Sequence, residues 1–239
     1  MITDVQTASP VEQSHPGLAA RLIGVIVSPR QTYAAVAARP HALGALIVTI
    51  AIGCAVQFAF LSTEVGQDAM FDRQLQTMEN FGVELSPQMV TQMEAGLSRA
   101  PYTAVAFQAI GSPIVAAIIA GLLLVVCNAL LDGNATFKQL FALMAHAGVI
   151  VTLQQLFAAP INYARGEMAS PASLGVFAPM LDPDGFVGGF LGAIDLFFIW
   201  WMISLAIGLG VLYTRRTGPI ATSLLSVYAV IALCIALIF

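Results

Sequence analysis

From Gly188 to Tyr213 the chain reads GGFLGAIDLFFIWWMISLAIGLGVLY, an apolar run with one charged residue, Asp195. Such a run reads as a membrane-spanning helix, because the hydrocarbon core needs about 20 apolar residues per helix. A carboxylate inside it is costly in lipid and demands a partner, so Asp195 is a candidate functional residue from the outset. Composition points to the same environment. Of 239 residues, 59% are hydrophobic and 9% charged, against roughly 25% charged in an ordinary soluble domain.

Four more apolar runs accompany the first. Residues 41–61 carry Gln57 as their one strongly polar group, and 218–238 run to the C-terminus without a polar tail. Residues 104–131 are crossed by Gly111, Ser112 and Pro113, which leaves open a kinked span or a re-entrant piece over 102–112. The run at 137–157 is weaker, with Lys138, Gln139, His146, Gln154 and Gln155 in it, so its surroundings should be largely protein. The expected fold class is an all-α integral membrane protein: a five-transmembrane-helix bundle over 41–239, with spans at 41–61, 104–131, 137–157, 188–213 and 218–238.

Ahead of the bundle, residues 1–15 are polar and patternless and are expected to be a disordered tail. They lack the basic stretch and apolar core of a cleavable signal. Residues 16–40 suggest two short amphipathic helices, the second opened by Ser28 and Pro29 with Gln31 in the capping-box position. With Arg21, Arg30 and Arg39 and no acidic residue, this pair suits the headgroup layer of an anionic leaflet. Packing on the bundle is the alternative.

Counting lysine and arginine orients the chain. An inner N-terminus places Arg21, Arg30, Arg39, Lys138, Arg215 and Arg216 inside and Arg73, Arg99 and Arg165 outside; six against three favours N-in and C-out. The extracytoplasmic loops are then 62–101 and 158–187. The first carries stripes at Phe71, Leu75, Met78 and, after Ser86 and Pro87, at Val90, Met93, Leu97, predicting short helices. The second carries a cap-like Ser170 and Pro171 and a turn at Asp182, Pro183, Asp184 and Gly185.

Three stretches together carry a family likeness: LIGVIVSPRQTYAAVAARP (Leu22 to Pro40), GNATFKQLFALMAHAGV (Gly133 to Val149) and DLFFIWWMISLAIGLGVLYTRRTGPIATS (Asp195 to Ser223). In order and spacing they resemble bacterial members of the Yip family, small five-span membrane proteins named for eukaryotic relatives that bind Ypt/Rab GTPases. The resemblance implies a five-helix bundle in a bacterial cytoplasmic (inner) membrane and brings no enzymatic site with it. The 62–101 segment is a large insertion relative to the short loop expected of the family.

Depth along the expected spans assembles a candidate site. Gln57, Gln108, Gln154 and Gln155 fall near the outer ends of three spans, and Asp195 about 10 Å below the outer end of a fourth at 1.5 Å per residue. They could form an outward-facing polar pocket for a lipid headgroup or small solute, or serve as interhelical glue. His146 lies deeper and could join Asp195 in a proton relay, or remain a neutral single hydrogen-bond donor. Ser204, Gly208, Gly188, Gly192, Ala117 and Gly121 have small-xxx-small spacing, for packing within the bundle or a homo-oligomer seam.

Several function classes recede. No basic run suggests nucleic acid. Cys54, Cys127 and Cys234 lie singly in apolar runs, without zinc or redox spacing. Met70, Met78, Met89 and Met93 lack the histidine or cysteine that would support a soft metal site. Asp182 and Asp184 fall short of a calcium loop. H-E-x-x-H, G-x-S-x-G and P-loop patterns are missing, so no catalytic residue, metal or cofactor is expected. The expectation is a non-enzymatic protein that binds membrane-protein partners or lipids; the alternative is a small transporter or channel built on the layer around Asp195.

Overall fold

The computed structural model describes residues 17–131, 133–182 and 185–238; the expected tail at 1–15 and Pro183 and Asp184 of the expected turn lie outside them. All named elements are helical. The chain runs through α1 (Leu18–Val27), α2 (Pro29–Ala38), α3 (Leu43–Leu61), α4 (Glu64–Asn80), α5 (Pro87–Gly96), α6 (Ala100–Leu131), α7 (Phe137–Arg165), α8 (Phe186–Gly192), α9 (Leu196–Leu212) and α10 (Thr217–Ile238).

Four helical stretches are long and apolar enough to cross a membrane: Leu43–Leu61, Pro87–Leu131, Phe137–Arg165 and Thr217–Leu237. The wide exposure of Phe107, Val125, Leu130 and Leu237 gives α6 and α10 an outward apolar face, which suits lipid and would be a liability in water. Half of the apolar window of α7 is buried, against 11% in each of the other three, so α7 is the hub. Its Leu140, Leu143, His146 and Ile150 have no accessible surface.

Local chemistry explains most boundaries. Ser86 caps α5, accepting from Met89 N at 3.3 Å ahead of Pro87. Thr63 caps α4, accepting from Gly66 N at 3.0 Å. At α7 the Thr136 hydroxyl and Gln139 amide form a reciprocal capping box. Gln139 Nε2 also donates to Ala37 O at 3.2 Å, fastening α7 to α2. By contrast, Ser28 precedes α2 without a side-chain cap; its carbonyl accepts from Thr32 Oγ1 at 3.1 Å instead.

One boundary that the sequence left open and two that depart from its expectation stand out. Helix α6 is continuous through Gly111, Ser112 and Pro113; there Ser112 Oγ donates to Gln108 O, and Pro113 removes one donor without ending the helix. Helix α7 runs on past residue 157 to Arg165, ending at Gly166 with φ 67°. The 188–213 run is not one helix: it divides at 193–195 into the short α8 and the 17-residue α9.

The N-terminal hairpin is partly docked. Helix α2 buries Thr32, Tyr33 and Val36, and the Tyr33 hydroxyl meets Ser204 Oγ of α9 at 2.7 Å. Helix α1 buries Gly24 and Val25 but leaves Ile23 and Val27 outward. Gly208 permits this close approach: a Cβ there would lie 1.9 Å from Leu143 Cδ2 and 3.2 Å from Tyr33 Cγ. Gly121, with nothing within 4 Å of its Cβ position, lies in open space.

Gly208→Val is therefore expected to lower the thermal midpoint in detergent through overpacking worth about 1–3 kcal/mol. Gly121→Ala should leave it unchanged or raise it, by up to about 1 kcal/mol. Equal losses in the two variants would contradict this packing.

Candidate functional site

The polar residues collected by depth separate into two places. Asp195, with 5% of its surface accessible, is the N-cap of α9 rather than a residue inside a helix. Its Oδ1 accepts from Phe197 N at 2.7 Å and Phe198 N at 3.2 Å. Its Oδ2 accepts from Gln154 Nε2 of α7 at 2.8 Å and from the Ser170 hydroxyl. Aspartate competes poorly for a helix interior and well for a cap, and the glycines before it weaken the helix they would have to continue. The carboxylate therefore ends one helix and starts another.

Breaking a helix in an apolar setting exposes backbone groups that must find partners within the protein. Here they do. Asp195 N donates to the Tyr228 hydroxyl at 2.8 Å, and that hydroxyl donates to Ala193 O at 3.0 Å. Residues 172–174 lie alongside as one antiparallel bridge between Ser173 and Asp195: Leu174 N donates to Ile194 O at 2.8 Å, and Leu196 N to Ala172 O at 3.0 Å. The clasp thus joins α7, the 170–174 segment, α9 and α10 around one carboxylate. Ser170 is a hydrogen-bond donor to Asp195, not a helix cap.

The other amides face elsewhere. Gln57, Gln108 and Gln155 line a cleft of about 490 Å³ between α3, α6, α7 and the start of α9. Successive residues on a helix point about 100° apart, which is why Gln154 reaches Asp195 while Gln155 turns to the cleft. Gly53 of α3 makes room for the two amides at the polar end: a Cβ there would lie 2.6 Å from Gln155 Oε1 and 2.9 Å from Gln108 Nε2. Gln155 Oε1 is buried and has no hydrogen-bond partner. Toward the other end the lining becomes apolar, with Leu46, Ile50, Ile119 and Met144. Leu46 to Gln57 spans about 16 Å of helix. Asp195 does not line this cleft.

His146 belongs to neither group. Its Nδ1 bonds Ala142 O at 2.7 Å in its own helix, and its buried Nε2 has no partner; it makes no hydrogen bond to Asp195. Arg21 is half-buried, whereas Arg30 and Arg39 are exposed. Among the described residues, no group of three or more His, Cys, Asp or Glu could hold a metal ion. Sequence reasoning missed Ser170 as a donor, Tyr228 as the group that satisfies the break, and Ser112 as part of the cleft. Tyr228 gave a faint signal, as the one aromatic residue within the apolar α10.

Asp195→Ala leaves Gln154, Ser170 and two α9 amides without their acceptor. It is expected to cost at least about 2 kcal/mol, the upper value for a lost helix cap. Asp195→Asn keeps one oxygen for the α9 amides, and the Gln154 amide and Ser170 hydroxyl can both turn to accept, so it should cost less than half as much. Chemical denaturation in micelles measures both; equal stability of Asp195→Ala and the unsubstituted protein would remove the clasp from the account.

Comparison with known proteins gives one match. The family model for the Yip1 domain covers residues 23–239, which takes in both the clasp and the cleft. No curated protein and no solved structure matches the chain. The family match extends over nearly the whole chain, and the protein belongs to the Yip1-domain family of membrane proteins.

Proposed function

We propose that this protein crosses the membrane five times, with α8 and α9 as the broken fourth passage, and acts by binding an amphipathic lipid rather than by catalysis. The lipid occupies the cleft between α3, α6 and α7. One observation carries this reading: the cleft has apolar walls and, at one end, a buried amide oxygen on Gln155 with no partner. An unsatisfied buried acceptor costs about 1–3 kcal/mol, and a ligand donor at that position recovers it. An acyl or isoprenoid chain fills the apolar end, and a hydroxyl or amide near its head reaches Gln155 and Gln108.

The chain is placed in a bacterial cytoplasmic membrane with its N-terminus inside and its C-terminus outside. That placement follows from the family resemblance and from the six cationic residues at one end of the bundle against three at the other.

Full-length protein in phosphatidylcholine vesicles containing a diacylglycerol with a diazirine on one acyl chain, whose free hydroxyl can donate to Gln155, tests the cleft directly. Photolysis is expected to label Ile119 and Met144, and Ala116→Trp, which fills the cleft, should abolish that labelling. Gln155→Leu should also weaken it, yet cost no stability, because removing an unpaired buried acceptor is close to neutral or favourable. Labelling confined to the outward residues Leu122, Val125 and Leu130 would refute the reading.

A further inference from the structure

The end of the bundle away from Asp195 has one-sided charge. It holds the end of α2, the starts of α3, α7 and α10 and the ends of α6 and α9, tied together by Gln139 bonding Ala37 O and by Arg215 Nη2 bonding Leu131 O at 3.0 Å. Arg30, Arg39, Lys138, Arg215 and Arg216 are all there. Every described acidic residue, from Glu64 to Glu94 and then Glu167, Asp182 and Asp195, belongs to segments at the opposite end; Asp132 lies outside the described residues.

Three of these cations line a single open cavity of about 600 Å³. Arg30 comes from α2, Arg215 and Arg216 come from the α9–α10 turn, and Thr217 opens α10 beside them. Arg215 is steadied through Leu131 O, while Arg30 and Arg216 have no hydrogen-bond or ionic partner among the described residues. Guanidinium groups stay charged and repel one another unless an anion lies between them, and their planar forks match phosphate oxygens.

The turn that presents them is strained. Arg215 N donates to Gly210 O at 2.9 Å and Thr214 N to Val211 O at 3.3 Å, a Schellman ending to α9. Its left-handed position, φ 52°, is held by Thr214, a β-branched residue where glycine or asparagine would be relaxed. Thr214 lines the same cavity, and backbone strain of this kind concentrates at ligand sites. Gly210 keeps the turn tight: a Cβ there would lie 3.0 Å from Thr217 Oγ1.

We propose that Arg30, Arg215, Arg216 and the first turn of α10 form a site for the phosphate of an anionic phospholipid headgroup. The amides and dipole at the start of the 22-residue α10 add to the guanidinium charge. A lipid source is favoured over a soluble anion by position. Ile26 and Val27 at the end of α1, 37% and 73% exposed, are separated from α2 by Ser28 alone, so an apolar surface adjoins the cradle where acyl chains would run. The site is independent of the cleft between α3, α6 and α7.

The test uses the full-length protein in phosphatidylcholine nanodiscs with a minor share of phosphatidylglycerol, followed by native mass spectrometry of the lipid that stays bound. Phosphatidylglycerol should be retained well above its bulk share. Arg30→Gln and Arg216→Gln should each cut that retention about ten-fold, the scale of one charge-assisted contact. Arg30→Lys, which keeps charge but loses the fork, should fall between. Arg39→Gln, outside the cradle at the same end, should change retention by less than about two-fold. Millimolar inorganic phosphate should not displace the lipid. Thermal unfolding in pure phosphatidylcholine discs confirms that each variant is folded. The proposal is overturned by no enrichment of phosphatidylglycerol, by an equal loss in Arg39→Gln, which would mean diffuse surface charge, or by displacement with inorganic phosphate, which would mean a soluble-anion site.

Discussion

A carboxylate with almost no access to solvent must be held by donors, and Asp195 draws them from its own helix start, from α7 and from the 170–174 segment. In surroundings of low dielectric these bonds are strong and their absence is expensive. Much of the architecture on that side follows from this requirement. Helix α9 begins where the carboxylate can cap it; α8 is set apart from it; and Tyr228 of α10 occupies the gap because the broken backbone needs a donor and an acceptor there. Arg73 of α4 then donates to Met168 O at 3.0 Å, extending the tie outward to the helices that cover this end.

The same physics separates polarity that is satisfied within the fold from polarity left without a partner. At the clasp, every polar atom described for Asp195 has a partner, so the group is a fastening and has no open face. In the cleft, Gln155 Oε1 lacks a partner and packs beside Gly53, where any side chain would crowd it. One helix supplies both, since Gln154 and Gln155 are neighbours on α7 that point in different directions. The bundle also differs from end to end: among the described residues, carboxylates and the clasp lie on one side, arginines and a strained turn on the other. An asymmetric membrane, with anionic lipid at one face, is the setting in which such a distribution is favourable.

Much of this was legible in the sequence because apolar periodicity and capping chemistry are local. The runs at 41–61, 104–131, 137–157 and 218–238 each fall on a helix, and Ser86 with Pro87 marks the start of α5. The likeness of Leu22 to Pro40, Gly133 to Val149 and Asp195 to Ser223 to the Yip family agrees with the family match over residues 23–239. Azimuth was not legible. Depth along a helix grouped Gln57, Gln108, Gln154, Gln155 and Asp195 together, but the direction of each side chain depends on how the helices pack, and the structure divides them between the clasp and the cleft. The division at 193–195 was hidden for a related reason: hydropathy scores Asp195 as a defect in a span, while its partners Ser170 and Tyr228 lie 25 and 33 residues away along the chain. Likewise Pro113 reads as a break, yet α6 absorbs it.

The claim on which the rest depends is that Asp195 is a structural fastening whose bonds reach across the chain to Ser170. A double-mutant cycle between Asp195→Ala and Ser170→Ala, read by reversible denaturation of the full-length protein in micelles, measures that contact without relying on either variant alone. The account predicts a coupling energy of about 1–3 kcal/mol, as for residues sharing one buried hydrogen-bond network. Effects that add to within about 0.3 kcal/mol, as for distant and independent sites, would contradict it.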